Sequence, residues 1–184
     1  MNIFFKYAAL LFFLIILNSG CSVIDKIHFN SKGTPPAKEA IIFSANETIK
    51  GYKIQPDFEI CRDLVCLASI IDGAAPYYIS NGAKEILFCD FKNDDSEKSF
   101  SVEIYKTENL QAAEKFFNNS SSLAPEIIKI NGRIAKIDNG LVGTYRLETF
   151  KERYFIRIIT SKKTENLKKE MIDFTNSVLS LITD

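Results

Sequence analysis

The chain has 184 residues, of which 46% are hydrophobic and 25% are charged, values typical of a globular protein. Its formal net charge is zero and its basic residues are dispersed, so the sequence excludes the basic stripe that marks a nucleic-acid-binding surface. The length favours one folded domain with additional segments.

The first twenty residues have the pattern of a signal peptide. A short segment carrying Lys6 precedes an unbroken apolar run from position 7 to position 17. This run matches the apolar region of a secretory signal, and it is shorter than the about 20 residues that a helix needs to span a bilayer. We therefore predict that residues 1–20 are a signal peptide that directs the chain out of the cytoplasm.

The residues around Cys21 resemble the lipobox of bacterial lipoproteins, in which an aliphatic residue, a small residue and Gly or Ala precede the lipid-bearing Cys. Ser19, Gly20 and Cys21 match this pattern, whereas Asn18 occupies the place of the aliphatic residue. The resemblance implies that Cys21 carries the lipid and begins the mature chain. Two or three acyl chains would hold the protein on a membrane, because each buried methylene contributes about 0.8 kcal/mol. The alternatives are an ordinary cleaved signal peptide and an uncleaved anchor.

Residues 21–39 are predicted to form a flexible tether between the lipid and a single α+β domain at residues 40–184. Gly33 and Pro35-Pro36 interrupt a polar stretch, and paired prolines favour an extended chain. The only histidine, His28, lies in this tether. The domain therefore lacks the histidine of the usual Ser–His and Cys–His nucleophilic sites.

The first half of the domain alternates between apolar segments and turn residues. A short strand is expected at residues 39–47. Residues 61–71 are apolar on nearly all sides, and the spacing of their apolar residues favours a helix. A second, short helix is expected to contain Pro76 in its first turn and to stop at Asn81-Gly82.

Two strands and an amphipathic helix follow. Residues 83–91 and 99–106 have strand composition, and the second segment alternates apolar with polar residues, as a half-buried antiparallel strand does. Residues 108–117 form an amphipathic helical pattern that Thr107 is placed to cap.

The C-terminal half predicts a meander of four strands followed by a helix. Asn131-Gly132 separates two apolar runs and is the favoured hairpin turn, because both of its positions need positive φ. Further turns are expected at Asp138-Asn139-Gly140 and at residues 150–153. From Thr164 onward, apolar residues recur at steps of four and three, which predicts a helix that packs on the sheet. The apolar stripe consists of Leu167, Met171, Phe174, Val178 and Leu181.

This order of elements predicts an α+β fold, since hairpins rather than βαβ crossovers connect the strands. We expect an antiparallel sheet of about six to seven strands, including the C-terminal four-strand meander, with the helices packed on one face.

Three cysteines, Cys61, Cys66 and Cys89, fall in the predicted domain. On a helix, five residues turn the chain by about 500°, which would leave Cys61 and Cys66 about 140° apart and disfavours a bond between them. A disulfide from Cys89 to Cys61 or Cys66 would stabilise the domain by about 2–4 kcal/mol. The alternative is that all three are buried free thiols.

Motifs for metal and cofactor chemistry are missing from the sequence. The cysteines form no CxxC pair, and no glycine-rich phosphate-binding motif is present. We therefore predict no cofactor, no metal site and no catalytic residue. The acidic pair Asp94-Asp95 is interpreted as part of an exposed turn.

A short motif at the start of residues 70–91 carries a family resemblance. Its matching residues are Ile71, Gly73, Ala74, Ala75 and Tyr78. The segment resembles an uncharacterised family of exported, often lipid-anchored bacterial proteins whose motif reads roughly I-N-G-A-A, then an acid and a Tyr. Asp72 replaces the Asn of that motif, and Pro76 replaces the acid. The resemblance implies the fold and an exported location, and it supplies no catalytic residue.

These features predict a protein of the bacterial cell envelope that is anchored to the membrane through lipid on Cys21, with its domain outside the cytoplasm. The domain is expected to bind an envelope protein or a small ligand, or to support an assembly, and not to bind nucleic acid. The alternative is an envelope hydrolase or transferase, which would need two carboxylates that converge in a concave pocket. The sequence leaves open whether the domain is an enzyme and favours a binding module.

Overall fold

One large antiparallel sheet organises the part of the chain that the computed structural model describes, which is residues 42–43, 47–71, 73–94 and 97–182. The strands are β1 (Thr48–Ile49), β2 (Tyr52–Ile54), β3 (Glu59–Cys61), β4 (Ala83–Asn93), β5 (Ser99–Thr107), β6 (Pro125–Ile130), β7 (Arg133–Asp138), β8 (Arg146–Lys151) and β9 (Tyr154–Thr160). The helices are α1 (Leu64–Ile70), α2 (Ala75–Ser80), α3 (Leu110–Asn119) and α4 (Glu165–Leu181).

The strand order across the sheet is β1-β2-β4-β5-β9-β8-β7-β6, and β3 pairs with the first half of β4 on the edge that β2 also uses. Neighbouring strands pair antiparallel throughout this order. The α+β class, the antiparallel sheet and the C-terminal meander of β6 to β9 are thus confirmed. The sheet has nine strands in the described residues and is larger than the predicted six to seven.

The additional strands lie at the N-terminal edge of the sheet. Lys50 and Gly51 both have positive φ, 53° and 83°, and form a two-residue turn between β1 and β2. These strands are two and three residues long, too short to show an alternating pattern. Of the strand expected at residues 39–47, only Ile42, Phe43 and Glu47 are described, and none of them is in a strand; the rest lies outside the described residues.

Helices cover both faces of the sheet, so the expectation that all helices pack on one face is wrong. On one face, Phe174 of α4 packs against Phe91 and Phe100, with ring centroids 5.1 and 4.8 Å apart. On the other face, Phe116 of α3 packs against Tyr105 and Phe155, at 6.1 and 6.0 Å. Both faces need cover because the central strands are apolar at successive positions. Buried neighbours of this kind are Ile86 and Leu87, Ile104 and Tyr105, and Phe155 and Ile156.

Most of the apolar stripe predicted for the C-terminal helix α4 is buried, as expected. The Thr164 side chain caps α4 by accepting a hydrogen bond from the Leu167 backbone N–H at 3.2 Å. Four of the five stripe residues are buried: Leu167, Met171, Phe174 and Val178. Leu181 is exposed, and the neighbouring Leu179 and Ile182 are buried instead.

Helices α1 and α3 begin later than their sequences predicted, because short polar side chains cap them. Asp63 caps α1 by accepting a hydrogen bond from the Cys66 N–H at 2.8 Å, so Cys61 belongs to β3 rather than to the helix. Asn109 caps α3 in place of Thr107, whose hydroxyl donates to the Asn109 and Arg153 carbonyls. The short helix α2 has Pro76 in its first turn, as predicted.

Two of the three turns predicted in the meander are confirmed. Asn131 and Gly132 have φ of 49° and 79° and join β6 to β7, and Glu152-Arg153 joins β8 to β9. The turn predicted at Asp138-Asn139-Gly140 is instead a longer loop at residues 139–145, the β7–β8 loop. A tight hairpin does not form because the Asp138 carboxylate accepts the Gly140 N–H, which directs the chain away from β7.

Candidate functional site

A row of charged side chains crosses the sheet face that α1, α2 and α3 cover. The register places Glu103 of β5 opposite Arg157 of β9, Arg157 opposite Glu148 of β8, and Glu148 opposite Lys136 of β7. We call these four residues the charged row. Their charges alternate in sign from strand to strand, and opposite charges on facing positions stabilise a sheet.

Arg157 is the centre of the charged row. Its Nη1 lies 2.8 Å from Glu103 Oε2, and its Nε lies 2.8 Å from Glu148 Oε1. Burial alone would lower the pKa of the Arg157 guanidinium, but the neighbouring Glu103, Tyr105, Tyr78 and Glu148 outweigh it and raise that pKa. Arg157 therefore keeps its charge although its side chain is only 15% exposed.

Two tyrosines contact the charged row, Tyr78 from α2 and Tyr105 from β5. The Tyr78 hydroxyl of α2 accepts a hydrogen bond from Arg157 Nη2 at 3.2 Å, and the Tyr78 ring lies 4.6 Å from the Tyr105 ring. The Tyr105 hydroxyl donates to Glu103 Oε2 at 2.7 Å. Burial and the adjacent Glu103 raise the pKa of Tyr105, so this hydroxyl keeps its proton.

The motif that carries the family resemblance positions Tyr78 over the row. Gly73 has a φ of 69°, which suits the sharp turn between α1 and α2. Ala75 is 1% exposed and begins α2 against the core, where a larger side chain would meet close-packed neighbours. One turn later, α2 presents Tyr78 to Arg157 and Tyr105.

A second buried ion pair lies beside the row, at the end of β7. Arg146 Nη2 lies 3.0 Å from Asp138 Oδ2. The Asp138 carboxylate also accepts backbone N–H groups from Gly140, Ala124 and Leu123, at 2.9, 3.3 and 3.3 Å. Burial alone would raise the pKa of Asp138, but these hydrogen bonds and Arg146 outweigh it and lower that pKa.

Lys136 connects the charged row to the end of α3. Its Nζ donates to the Phe117 carbonyl at 2.5 Å and to Ser120 Oγ at 2.7 Å, and it lies 4.5 Å from the centre of the Phe117 ring. Burial lowers the pKa of Lys136, and Glu148 opposes that effect. The side chain therefore fastens the C-terminal end of α3 to the sheet.

The charges of these groups balance one another, and their ion pairs link neighbouring strands of the sheet. Arg157, Arg146 and Lys136 carry three positive charges, which balance the three negative charges of Glu103, Glu148 and Asp138. Both glutamates of the row point at Arg157 and not at an open space. Within the described residues, no group of His, Cys, Asp and Glu side chains is arranged to hold a metal ion.

A shallow depression of about 340 Å³ lies between the end of α2 and the start of α3. Its lining residues are Ile79, Ser80, Asn81, Gly82, Glu108, Gln111, Ala112 and Lys115. Glu108 is the acidic residue among these lining residues, and its carboxylate lies 2.6 Å from Lys84 Nζ in an ion pair. The depression therefore does not bring two carboxylates together.

The cysteines pair differently from the prediction. A disulfide joins Cys61 to Cys66, with Cα atoms 5.3 Å apart, and Cys89 is a buried free thiol. The two cysteines do not share a helix on which they would lie about 140° apart, because Cys61 ends β3 and the helix starts at Leu64. The predicted bond from Cys89 is wrong because Cys89 belongs to the core under α4, whereas Cys61 belongs to the core on the other face of the sheet.

The predicted lipid-attachment residue, Cys21, lies outside the described residues, as do His28 and the tether. Its acylation stays a prediction. Of the acidic pair, Asp94 is exposed and lies 2.6 Å from Lys53 Nζ, whereas Asp95 lies outside the described residues.

Sequence reasoning missed the charged row, although it left a signal. Glu103 stands between Val102 and Ile104, and Arg157 stands between Ile156 and Ile158, all of which are buried apolar residues. A charge in the middle of such a strand indicates either a solvated face or a paired charge, and the sequence alone does not say which strand supplies the partner.

Comparisons with protein families, with characterised proteins and with solved structures find no match for this chain. The class that the fold defines is an α+β domain built on a large antiparallel sheet. In the described part of the chain, none of the helices is long and apolar enough to cross a bilayer.

Proposed function

We propose that this chain is a lipoprotein of the bacterial cell envelope, held on a membrane by lipid on Cys21, with its domain outside the cytoplasm. The observation that carries the proposal is the Cys61–Cys66 disulfide in a domain that follows a signal-like N-terminus. Disulfides persist in oxidising compartments and are rare in the cytosol, where thiol reductants act on them. The disulfide and the N-terminal sequence thus support the same location independently.

The position of the disulfide strengthens this argument. Cys66 is only partly buried and lies in the first turn of α1, so one end of the disulfide is near the surface of the domain. An accessible disulfide is reduced in a compartment rich in thiols. An oxidised Cys61–Cys66 bond therefore fits a domain that is exposed to the periplasm or the cell exterior.

The task that we propose for the domain is binding or support of an assembly, with an envelope protein or a small ligand as partner. The buried acids Glu148 and Asp138 and the partly buried Glu103 are committed to ion pairs that hold the sheet together. The alternative of a carboxylate-dependent hydrolase or transferase needs two acids facing a cavity, and no observation favours it. The motif around Gly73 supports the further proposal that the chain belongs to the exported family that it resembles.

The test is metabolic labelling with a fatty acid, followed by separation of membranes from soluble proteins. We expect the wild-type chain to incorporate label and to sediment with membranes, and Cys21→Ser to lose both properties. Cys89→Ala is the matched control, since it removes a cysteine from the folded domain and should keep the label. An unlabelled wild-type chain, or label that persists in Cys21→Ser, would refute the proposal.

A further inference from the structure

Strand β6 forms one edge of the sheet, and in the described part of the chain its backbone pairs with β7 alone. Directly before β6, the Asn139 N–H donates to the Ala124 carbonyl at 3.1 Å, in the same register as the strand pair. Hydrogen-bonded positions alternate along two antiparallel strands, so the even-numbered residues of β6 bond to β7. The odd-numbered residues therefore direct their backbone groups away from the sheet.

Ile127 and Lys129 leave a full set of backbone groups at this edge. Each has an N–H and a C=O that face outward, and none of the described residues pairs with them. Pro125, the third outward-facing residue, has no N–H to donate. Unpaired backbone groups along an edge strand are a template for a further strand. We call this row of outward backbone groups the β6 edge.

Exposed apolar side chains lie beside the β6 edge. Ile127 is 58% exposed, and Ile134 of β7 is 43% exposed. The register places Ile127 opposite Lys136 and Ile134 opposite Lys129, so both isoleucines lie on the same face of the β6–β7 hairpin. A strand added at the β6 edge would cover part of this apolar area, and its removal from water would favour association.

A second copy of β6 fits the edge in a symmetric register. A two-fold axis perpendicular to the sheet makes the two strands antiparallel and keeps the same faces of the two sheets on one side. With Ile128 on this axis, Ile127 of each copy faces Lys129 of the other. Every outward N–H and C=O of these two residues then finds a partner, in two hydrogen-bonded pairs. Pro125 would lie beyond them, where no donor is needed.

The side chains are compatible with the same register. Lys129 would face Ile127 of the second copy, and Glu126 would face its Ile130, so no like charges meet on facing positions. Lys129 would lie between that Ile127 and Ile134 of its own chain. Its aliphatic stem would cover both isoleucines while its ammonium group stays in water.

Among the described strands, the opposite edge of the sheet offers no partner of equal length. The strands β1 and β3 at that edge have two and three residues, whereas β6 has six. Pairing β6 with another β6 therefore forms a longer ladder than pairing it with the opposite edge. A two-fold axis also closes the assembly at two copies, as in most soluble homo-oligomers.

We propose that two copies of this protein associate through their β6 edges, so that their sheets join into one continuous sheet with Ile127 of each copy facing Lys129 of the other. This inference goes beyond the proposed envelope function and does not depend on the lipid anchor. A single pair of edge strands makes a small interface, so the dimer should form reversibly with rising concentration.

Cysteine crosslinking tests the position of the two-fold axis. In the proposed register the two Ile128 Cα atoms lie about 4.5 Å apart, within the range that a disulfide spans. The full-length protein with Cys89→Ala and Ile128→Cys is oxidised in cells that make it, and we expect a product of twice the mass of the chain. Ile134→Cys is the matched control. Its two copies would lie about 14 Å apart, three strand spacings, and should stay uncrosslinked.

Charge variants test the facing pair, with sedimentation of the purified full-length protein as the measurement. Ile127→Glu should keep the dimer, because the new carboxylate faces Lys129 of the second copy. Lys129→Glu should also keep it, because the new carboxylate faces Ile127. The double variant Ile127→Glu/Lys129→Glu should be monomeric, because two pairs of glutamates would face each other. Thermal unfolding checks that all variants are folded, which their exposed positions favour.

These outcomes decide the proposal. A dimeric wild type, a crosslink at position 128 alone and dissociation of the double variant alone support it. A wild type that stays monomeric at high concentration, or a crosslink at position 128 to a different protein, overturns association with a second copy. A double variant that stays dimeric, or single variants that dissociate as fully as the double variant, overturns the facing of Ile127 and Lys129.

Discussion

At Arg157, one guanidinium holds three elements of the domain together. It binds Glu103 of β5, Glu148 of β8 and Tyr78 of α2 while almost buried. Buried charges are tolerated only when they are paired, because removal from water is expensive for an isolated ion. Loss of Arg157 would therefore destabilise the domain mainly because Glu103 and Glu148 would be left without their counter-ion.

Replacing Arg157 should destabilise the domain strongly. Arg157→Met keeps the length of the side chain but leaves Glu103 and Glu148 without their shared cation, which should lower the free energy of unfolding by about 3–5 kcal/mol. Arg153→Met is the matched control on the exposed β8–β9 turn and should change it by less than about 0.5 kcal/mol. Urea unfolding of both variants provides the measurement, and similar losses would contradict the central position of Arg157.

Asp138 should make stability dependent on pH in the acidic range. Its pKa is lower in the folded state than in the unfolded chain, so its contribution is complete above the unfolded pKa and is lost as pH falls through the folded one. The difference in unfolding free energy between wild type and Asp138→Asn should therefore be largest above about pH 5 and shrink below about pH 4.

Denaturant unfolding at several pH values checks this prediction. Asp173→Asn, at an exposed position of α4, is the control and should show a small difference from wild type at every pH. A difference for Asp138→Asn that stayed constant from neutral to acidic pH would show that the hydrogen bonds of Asp138 do not favour its charged form.

At the scale of elements, the disulfide fastens the end of β3 to the first turn of α1. For a loop this short, loss of the bond should cost about 2 kcal/mol. A reductant should therefore lower the unfolding free energy of wild type and of Cys89→Ala by that amount. It should have no effect on the Cys61→Ala/Cys66→Ala double variant.

Thiol counting under denaturing conditions complements the unfolding experiment. In wild type and in the double variant, Cys89 should be the thiol of the domain that reacts without prior reduction. If Cys89→Ala instead removed the sensitivity to reductant, Cys89 would be part of a disulfide and the Cys61–Cys66 pairing would be incorrect.

The C-terminal helix α4 should contribute through its central aromatic residue. Phe174 is fully buried against Tyr52, Phe91 and Phe100, so Phe174→Ala should cost about 3–5 kcal/mol. Leu181 belongs to the same predicted apolar stripe but is exposed. Leu181→Ala should therefore lower the free energy of unfolding by less than about 1 kcal/mol. Thermal unfolding distinguishes the two, and equal effects would place Leu181 in the core.

Elements with strong local signals were predictable from sequence. The Asn131-Gly132 hairpin needs positive φ at both positions, and α4 combines a capping Thr164 with a long apolar stripe. The boundary between β3 and α1 was not predictable, because residues 61–71 are apolar on most sides and the cap at Asp63 looks like any surface acid. Likewise, β1 and β2 are too short to show a period.

The charged row could not be assembled from sequence, because pairing across four strands decides it. Glu103, Glu148 and Arg157 are identifiable as charges within apolar strands, but their contact depends on the order β5-β9-β8. That order places the last strand of the meander, and not its first, beside β5. Register then fixes which acid meets Arg157, since a shift by one residue would turn each side chain to the other face.

At the scale of the whole molecule, the fold separates its two ends. Phe43, near the start of the described residues, packs on Phe91 near the end of β4, whereas the disulfide and α1 follow β3, which pairs near the start of β4. The proposed envelope function joins this domain to a membrane through lipid on Cys21.

The most direct test of that account is the intact mass and N-terminal sequence of the mature protein, purified from the membranes of cells that make the full chain. We predict a chain that begins at Cys21, carries a diacylglyceryl group there, and shows the hydrogen loss of one disulfide between Cys61 and Cys66. A mature chain that begins elsewhere, retains residues 1–20 or carries no lipid on Cys21 would contradict it.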